Sequence, residues 1–168
     1  YAVTLDVTDG TTNLSVTTND LIVVLANPGA TVPFNEGFES MSSLSGSSWT
    51  VNDPDNNNTF QLTSAAAFSG NNSVRLLNTA SMATQLDEFY SEPFDMSNAT
   101  DIVVTFRYAY AQRNTTNDDR LRLYVSNNCG DSWSMRKQLR GSSDLNTAGG
   151  TVSSSFVPAS DQWGYAEV

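Results

Sequence analysis

Oxygen-bearing side chains dominate the chemistry open to this chain. Asn52-Asp-Pro-Asp-Asn-Asn-Asn58 places side-chain oxygens on Asp53, Asp55 and Asn57, at alternating positions. That is the spacing a loop needs to wrap a hard cation of calcium size; magnesium suits a loose loop poorly. An Asx-rich surface turn uses the same residue types, so both readings stand. Carboxylates for glycosidase chemistry would come from Glu36, Glu39, Glu88, Glu92 and the aspartates, and no spacing singles out an acid/base pair. The chain has no histidine, which excludes a Ser-His-Asp triad, a Cys-His pair and a His-bearing zinc site within it. Cys129 is the single cysteine, so no internal disulfide forms, and no base accompanies its thiol. In Thr105-Phe-Arg-Tyr-Ala-Tyr110, alternation sets Phe106, Tyr108 and Tyr110 on one face and Arg107 on the other. Aromatics aligned on a strand are usually core. The sharper option is a carbohydrate-binding face made by Tyr108, Tyr110, Arg113 and Trp133.

These residues need strands to hold them. Across 168 residues, apolar side chains form short runs with aromatics among them, as in a folded β-protein rather than a disordered one. Tyr1–Thr8 alternates, Asp9-Gly10 is a tight-turn signal, and Asn13–Thr17 and Leu21–Leu25 follow as strands. Ala26–Ala30 breaks the pattern. Further strands are expected at Val32–Glu39, from Trp49, and at Thr59–Thr63, Ser73–Leu77, Ile102–Tyr110, Arg120–Ser126, Ser134–Leu139 and Trp163–Val168. No segment carries a sustained 3.6-residue stripe, so the fold class is all-β: antiparallel sheets packed face to face. Trp49, Phe106, Tyr108, Leu121, Leu123 and Val125 supply apolar bulk. The last three share a strand face and are expected to be buried together.

The net charge of −10 repels phosphate backbones and anionic lipid, which argues against nucleic-acid and membrane-surface partners. No run approaches the roughly 20 apolar residues of a membrane span. Tyr1 opens directly in a β-like run without a signal peptide, and a piece of a longer secreted or cell-surface polypeptide is expected.

Gly37-Phe-Glu39, Trp49 ten residues on, and the loop 52–58 resemble MAM-like and choice-of-anchor jelly-roll domains, as do the runs 101–111 and 119–126. The resemblance covers residues 32–163. It implies a jelly-roll-like β-sandwich over 32–168, C-terminally incomplete. It also implies a structural calcium held by Glu39 together with Asp53, Asp55 and Asn57. Ser126-Asn-Asn-Cys-Gly-Asp-Ser-Trp133 resembles the Asp-box hairpin, with Asn128 for the aspartate and Ser132 for the threonine, which implies a structural turn. Residues 1–26 resemble the closing strands of a PKD-type Ig-like repeat, with 27–31 as linker and hinge. That order of modules is similar to proteins exported by type IX secretion, including pappalysin-like metalloproteases, whose zinc-binding His-Glu-x-x-His helix is absent here. The resemblance implies a non-catalytic accessory or adhesion module whose partners are neighbouring domains of the same polypeptide, or an extracellular glycan or protein. The alternatives are a carbohydrate-binding module and the non-catalytic part of a secreted metalloprotease.

Overall fold

The computed structural model describes residues 1–18, 22, 24–45, 47–79 and 82–168. Among these, twelve strands form and no α-helix does: β1 (Val3–Thr8), β2 (Asn13–Thr18), β3 (Ala30–Thr31), β4 (Trp49–Asn52), β5 (Gln61–Thr63), β6 (Ser73–Arg75), β7 (Glu88–Ser91), β8 (Phe94–Asp95), β9 (Thr105–Tyr108), β10 (Arg120–Val125), β11 (Ser134–Arg140) and β12 (Gly164–Glu167). The all-β class follows as the alternation requires. Of the expected strand Leu21–Leu25, residues Leu21 and Val23 lie outside the described residues. No helix of the described residues is long and apolar enough to cross a membrane.

The strands pair two by two: β1 with β2, β4 with β7, β5 with β6, β9 with β12, and β10 with β11, all antiparallel. The short ladder β3–β8 runs parallel, Ala30 opposite Phe94 and Thr31 opposite Asp95, a departure from the purely antiparallel expectation. Its strand β3 lies within the segment read as a linker, and Ala30 N–H donates to Pro93 O at 2.8 Å. Val32–Glu39, expected as a strand, is irregular. Pro33 has no N–H for a ladder, and Phe38 takes a left-handed φ of 62°.

Leu139, Leu145 and Ala166 form the buried core cluster, with Phe106, Tyr108, Tyr110 and Leu121 packed on it. Alternation in β9 supplies Phe106 and Tyr108 from one face, and β12 sets Ala166 opposite Phe106. Gly164 lies opposite Tyr108, whose ring occupies the space a Cβ would need there. A second aromatic cluster runs Phe38–Trp49–Phe89–Phe60, with ring centroids 5.7, 5.2 and 4.7 Å apart. Burial of Leu121 and Leu123 is partial, and Val125 is exposed. The ladder slips at Leu123/Tyr124, where Arg136 of β11 is left unpaired, and Val125 beyond the slip stays uncovered.

Candidate functional site

The ladder of β4 and β7 positions an acidic cluster. It ends at Asn52 opposite Glu88, where Asn52 Nδ2 donates to Glu88 Oε2 at 2.8 Å. Asp53 and Asp87 are the residues just beyond each strand, so antiparallel pairing itself brings two carboxylates together. The following loop turns through Asn56 in the left-handed region (φ 55°), a conformation Asn tolerates well. Asn57 N–H donates to Asp53 Oδ1 at 3.3 Å, closing the turn. Carboxylate oxygens of Asp53, Asp55 and Asp87 then lie within 4.8 Å of one another, with Asp55 exposed and the other two half-buried.

Electrostatics follow from that proximity. Asp55 titrates above its ordinary value of 3.8, because surrounding atoms displace water from it, Asp53 hydrogen-bonds to it, and the charges of Asp53 and Asp87 repel its own. The Asn57 backbone N–H pulls the other way, more weakly. Asp87 Oδ1 is buried with no hydrogen-bond partner, as are Trp49 Nε1 and Thr59 Oγ1 at the two ends of the segment 49–59. A buried carboxylate oxygen without a donor is costly, and a proton or a hard cation would relieve it. Three carboxylates at this spacing, two from the loop after β4 and one preceding β7, offer the oxygen donors that hard cations take. Asn57 commits its Nδ2 to Gln85 Oε1 at 2.9 Å.

Glu39 stands apart from this group. Its Oε1 accepts from the backbone N–H groups of Asn71 and Asn72 at 2.9 and 2.8 Å. Gly70, at φ 70°, presses against the same carboxylate and leaves no room for a Cβ. Glu39 is thus the acceptor that closes the Gly70–Asn72 turn. Asp87 is the residue that sequence reasoning missed. Its signal is the run Glu88-Phe-Tyr-Ser91, which pairs with Trp49–Asn52 as a strand.

Of the four aromatic and basic residues expected to bind a ligand, two are turned to the core. Tyr108 and Tyr110 pack on the core cluster. Their hydroxyls are engaged, Tyr108 donating to Asp144 O at 2.9 Å and Tyr110 to Asp119 Oδ2 at 2.7 Å. Desolvation, aided by Asp144 and Asp119 respectively, raises both phenols above their ordinary value. Arg113 is exposed. Trp133 is 49% exposed and neighbours Tyr90, ring centroids 6.2 Å apart.

The turn that resembles an Asp-box is tied as a staple. Asn128 Oδ1 accepts from Ser132 N–H at 2.9 Å and lies 2.9 Å from Ser126 Oγ. Its Nδ2 donates to Ser132 Oγ at 2.8 Å, while Ser126 Oγ accepts from Gly130 N–H at the same distance. Cys129, exposed and left-handed at φ 58°, sits at the tip. No family model, no curated protein and no solved structure matches this chain.

Proposed function

We propose that this chain is a non-catalytic accessory module of a secreted or cell-surface protein, of jelly-roll type, which spaces or positions neighbouring domains or adheres to an extracellular partner. Its loop at Asp53, Asp55 and Asp87 takes a structural calcium ion. The observation that carries the calcium reading is the meeting of three carboxylates within 4.8 Å, one of them with a buried, unpartnered oxygen. In support of a non-catalytic role, two surface clefts among the described residues hold one titratable side chain between them, Glu92; Gln61, Ser, Thr and apolar residues make up the rest. The PKD-type reading of residues 1–26 accords with an alternating hairpin whose apolar face has no covering layer among the described residues.

A cation that binds only the folded form stabilises it by about 2.7 kcal/mol at a hundredfold excess over Kd. For a domain of this size that raises Tm by about 5–10 °C. Calcium is expected to give that rise, magnesium much less, and Asp87→Asn or Asp55→Ala to abolish it, whereas Glu39→Gln keeps the response. Melting curves that superimpose with calcium and with chelator overturn the metal. The same protein, assayed on peptide and glycoside substrates, is expected to show no turnover. Turnover abolished by a substitution within 1–168 overturns the non-catalytic reading.

A further inference from the structure

The face of β9 and β12 turned away from the core carries a second arrangement, which alternation hid behind the aromatic residues of the other face. Arg107 is directly opposite Tyr165 in the ladder. Its guanidinium carbon lies 4.8 Å from the Tyr165 ring centroid and 4.3 Å from that of Phe68, on the turn between β5 and β6. The guanidinium is therefore stacked against two aromatic rings. Trp163 meets Phe68 edge-on, centroids 6.3 Å apart, and extends the rim. Phe68 and Tyr165 are 49% and 50% exposed, so this assembly faces solvent.

Stacking engages the π faces of a guanidinium and leaves its in-plane N–H donors free. Among the described residues, both ion pairs belong to Asp118, and no N–H of Arg107 donates to a protein acceptor. The nearby carboxylate of Glu167 accepts instead from the Tyr165 hydroxyl at 2.6 Å. In a chain with eighteen acidic and eight basic residues, a permanently charged arginine without a carboxylate partner is a pre-positioned anion receptor.

We propose that Phe68, Arg107, Trp163 and Tyr165 form a binding site for a saccharide bearing a single carboxylate, a uronate unit among neutral sugars. The carboxylate pairs with the planar fork of Arg107, and the C–H face of the pyranose lies on the exposed aromatic rim. The net charge of −10 repels long polyanions, so one carboxylate among hydroxyls suits the site better than a polyuronate. This site uses none of the acidic-loop residues and stands independently of the calcium reading.

Calorimetric titration of the whole chain compares a glucuronate-terminated disaccharide with its methyl ester, its neutral glucose counterpart and a capped glutamate peptide. The acid is expected to bind at least tenfold more tightly than the other three. Arg107→Gln is expected to lose tenfold or more, and Arg107→Lys most of that, because an ammonium has no bidentate fork. Phe68→Ala loses several-fold, and Arg136→Gln, at an exposed arginine outside the site, leaves binding unchanged. A melting transition for each variant separates lost binding from lost folding, and the acid-to-ester comparison needs no variant. Equal binding of acid and ester, a glutamate peptide that matches the disaccharide, unchanged affinity in folded Arg107→Gln, or no heat at millimolar ligand would each overturn the proposal. Loss of binding in folded Arg136→Gln would show that any exposed cation serves, and would overturn it as well.

Discussion

Hairpins β1–β2 and β10–β11 are built alike and end differently. Each pairs antiparallel through six residue pairs. In β1–β2 the faces divide by type except at Thr18, which lies opposite Val3. Val3, Leu5, Val7, Leu14 and Val16 share one face, while Thr4, Asp6, Ser15 and Thr17 share the other, with Thr4 and Thr17 hydroxyls 2.8 Å apart. Yet every residue of both strands is exposed. In β10–β11 the register slips and arginines interrupt the apolar residues, but Leu139 is only 3% exposed. A second layer makes the difference, because Phe106 of β9 and Ala166 of β12 join the cluster that closes over Leu139. Period-two alternation decides which residues share a face; a facing layer decides whether that face is dry.

The sharpest way to break this comparison is truncation at matched positions. Leu139→Ala is expected to cost about 2–5 kcal/mol in urea unfolding, through lost burial and the cavity left behind. Leu5→Ala and Val16→Ala are expected to stay within about 0.5 kcal/mol. A cost above 2 kcal/mol at Leu5 would mean that the β1–β2 face is covered in solution. Next in size is Gly164→Ala, which drives a methyl into the Tyr108 ring on the core side of β12 and is expected to cost about 1–3 kcal/mol in thermal unfolding. A neutral result would show that the two strands can part without loss. Asn128→Ala unties the turn of β10–β11 and is expected to cost about 1 kcal/mol, with Asn128→Asp retaining most of the wild-type Tm.

The smallest effects are those of pH, and they carry opposite signs. Asp9 closes the β1–β2 turn by accepting from the backbone of Thr12 and Thr11 and from the Thr11 hydroxyl, which holds it at about 2 against an ordinary 3.8. Asp118 is depressed as well, by hydrogen bonds from Arg140 and then Ser142. A depressed carboxylate stabilises the fold above its unfolded pKa, and that contribution is lost as pH falls through the folded value. Asp55, raised, behaves in the reverse sense: the folded state holds its proton more tightly, so its contribution is present below pH 3.8 and fades as pH rises through the folded value. Melting between pH 2 and 6 in chelator is expected to show a shallower acid loss in Asp118→Asn and a higher Tm near pH 6 in Asp55→Asn. A steeper acid loss in Asp118→Asn would reverse the assignment.

Sequence patterns carried the long strands and little of what brings them together. Arg120–Val125 was legible because apolar and polar residues alternate within it, Ser134–Leu139 because it could fold back on that strand across the Asn127–Trp133 turn, and Asp9-Gly10 marked the first turn. The slip at Leu123/Tyr124 was not legible, since a bulge depends on how two strands meet. Asp53 and Asp55 were visible as neighbours in one loop, whereas Asp87 reaches them only through the pairing of β4 with β7, a long-range fact that local spacing does not encode. Glu39 went to a turn because two adjacent backbone N–H groups at Asn71 and Asn72 offered it a complete partner set. Arg107 was placed correctly on the face opposite Phe106 and Tyr108, but its stacking partners come from β12 and a distant turn.

The β9–β12 ladder has a consequence for how the chain reaches this state in time. Residues 105–108 find their partners only when residues 164–167 return, after the whole β10–β11 hairpin has been traversed. Closing so long an excursion costs entropy before any contact repays it, whereas β10–β11 closes locally around Asn128. The hairpin is the natural nucleus and β12 the late arrival. Substitutions at the Asn128 turn should then slow folding, and substitutions at Ala166 should chiefly quicken unfolding. The strand that completes the core is, on this ordering, also the one whose departure sets the lifetime of the folded protein.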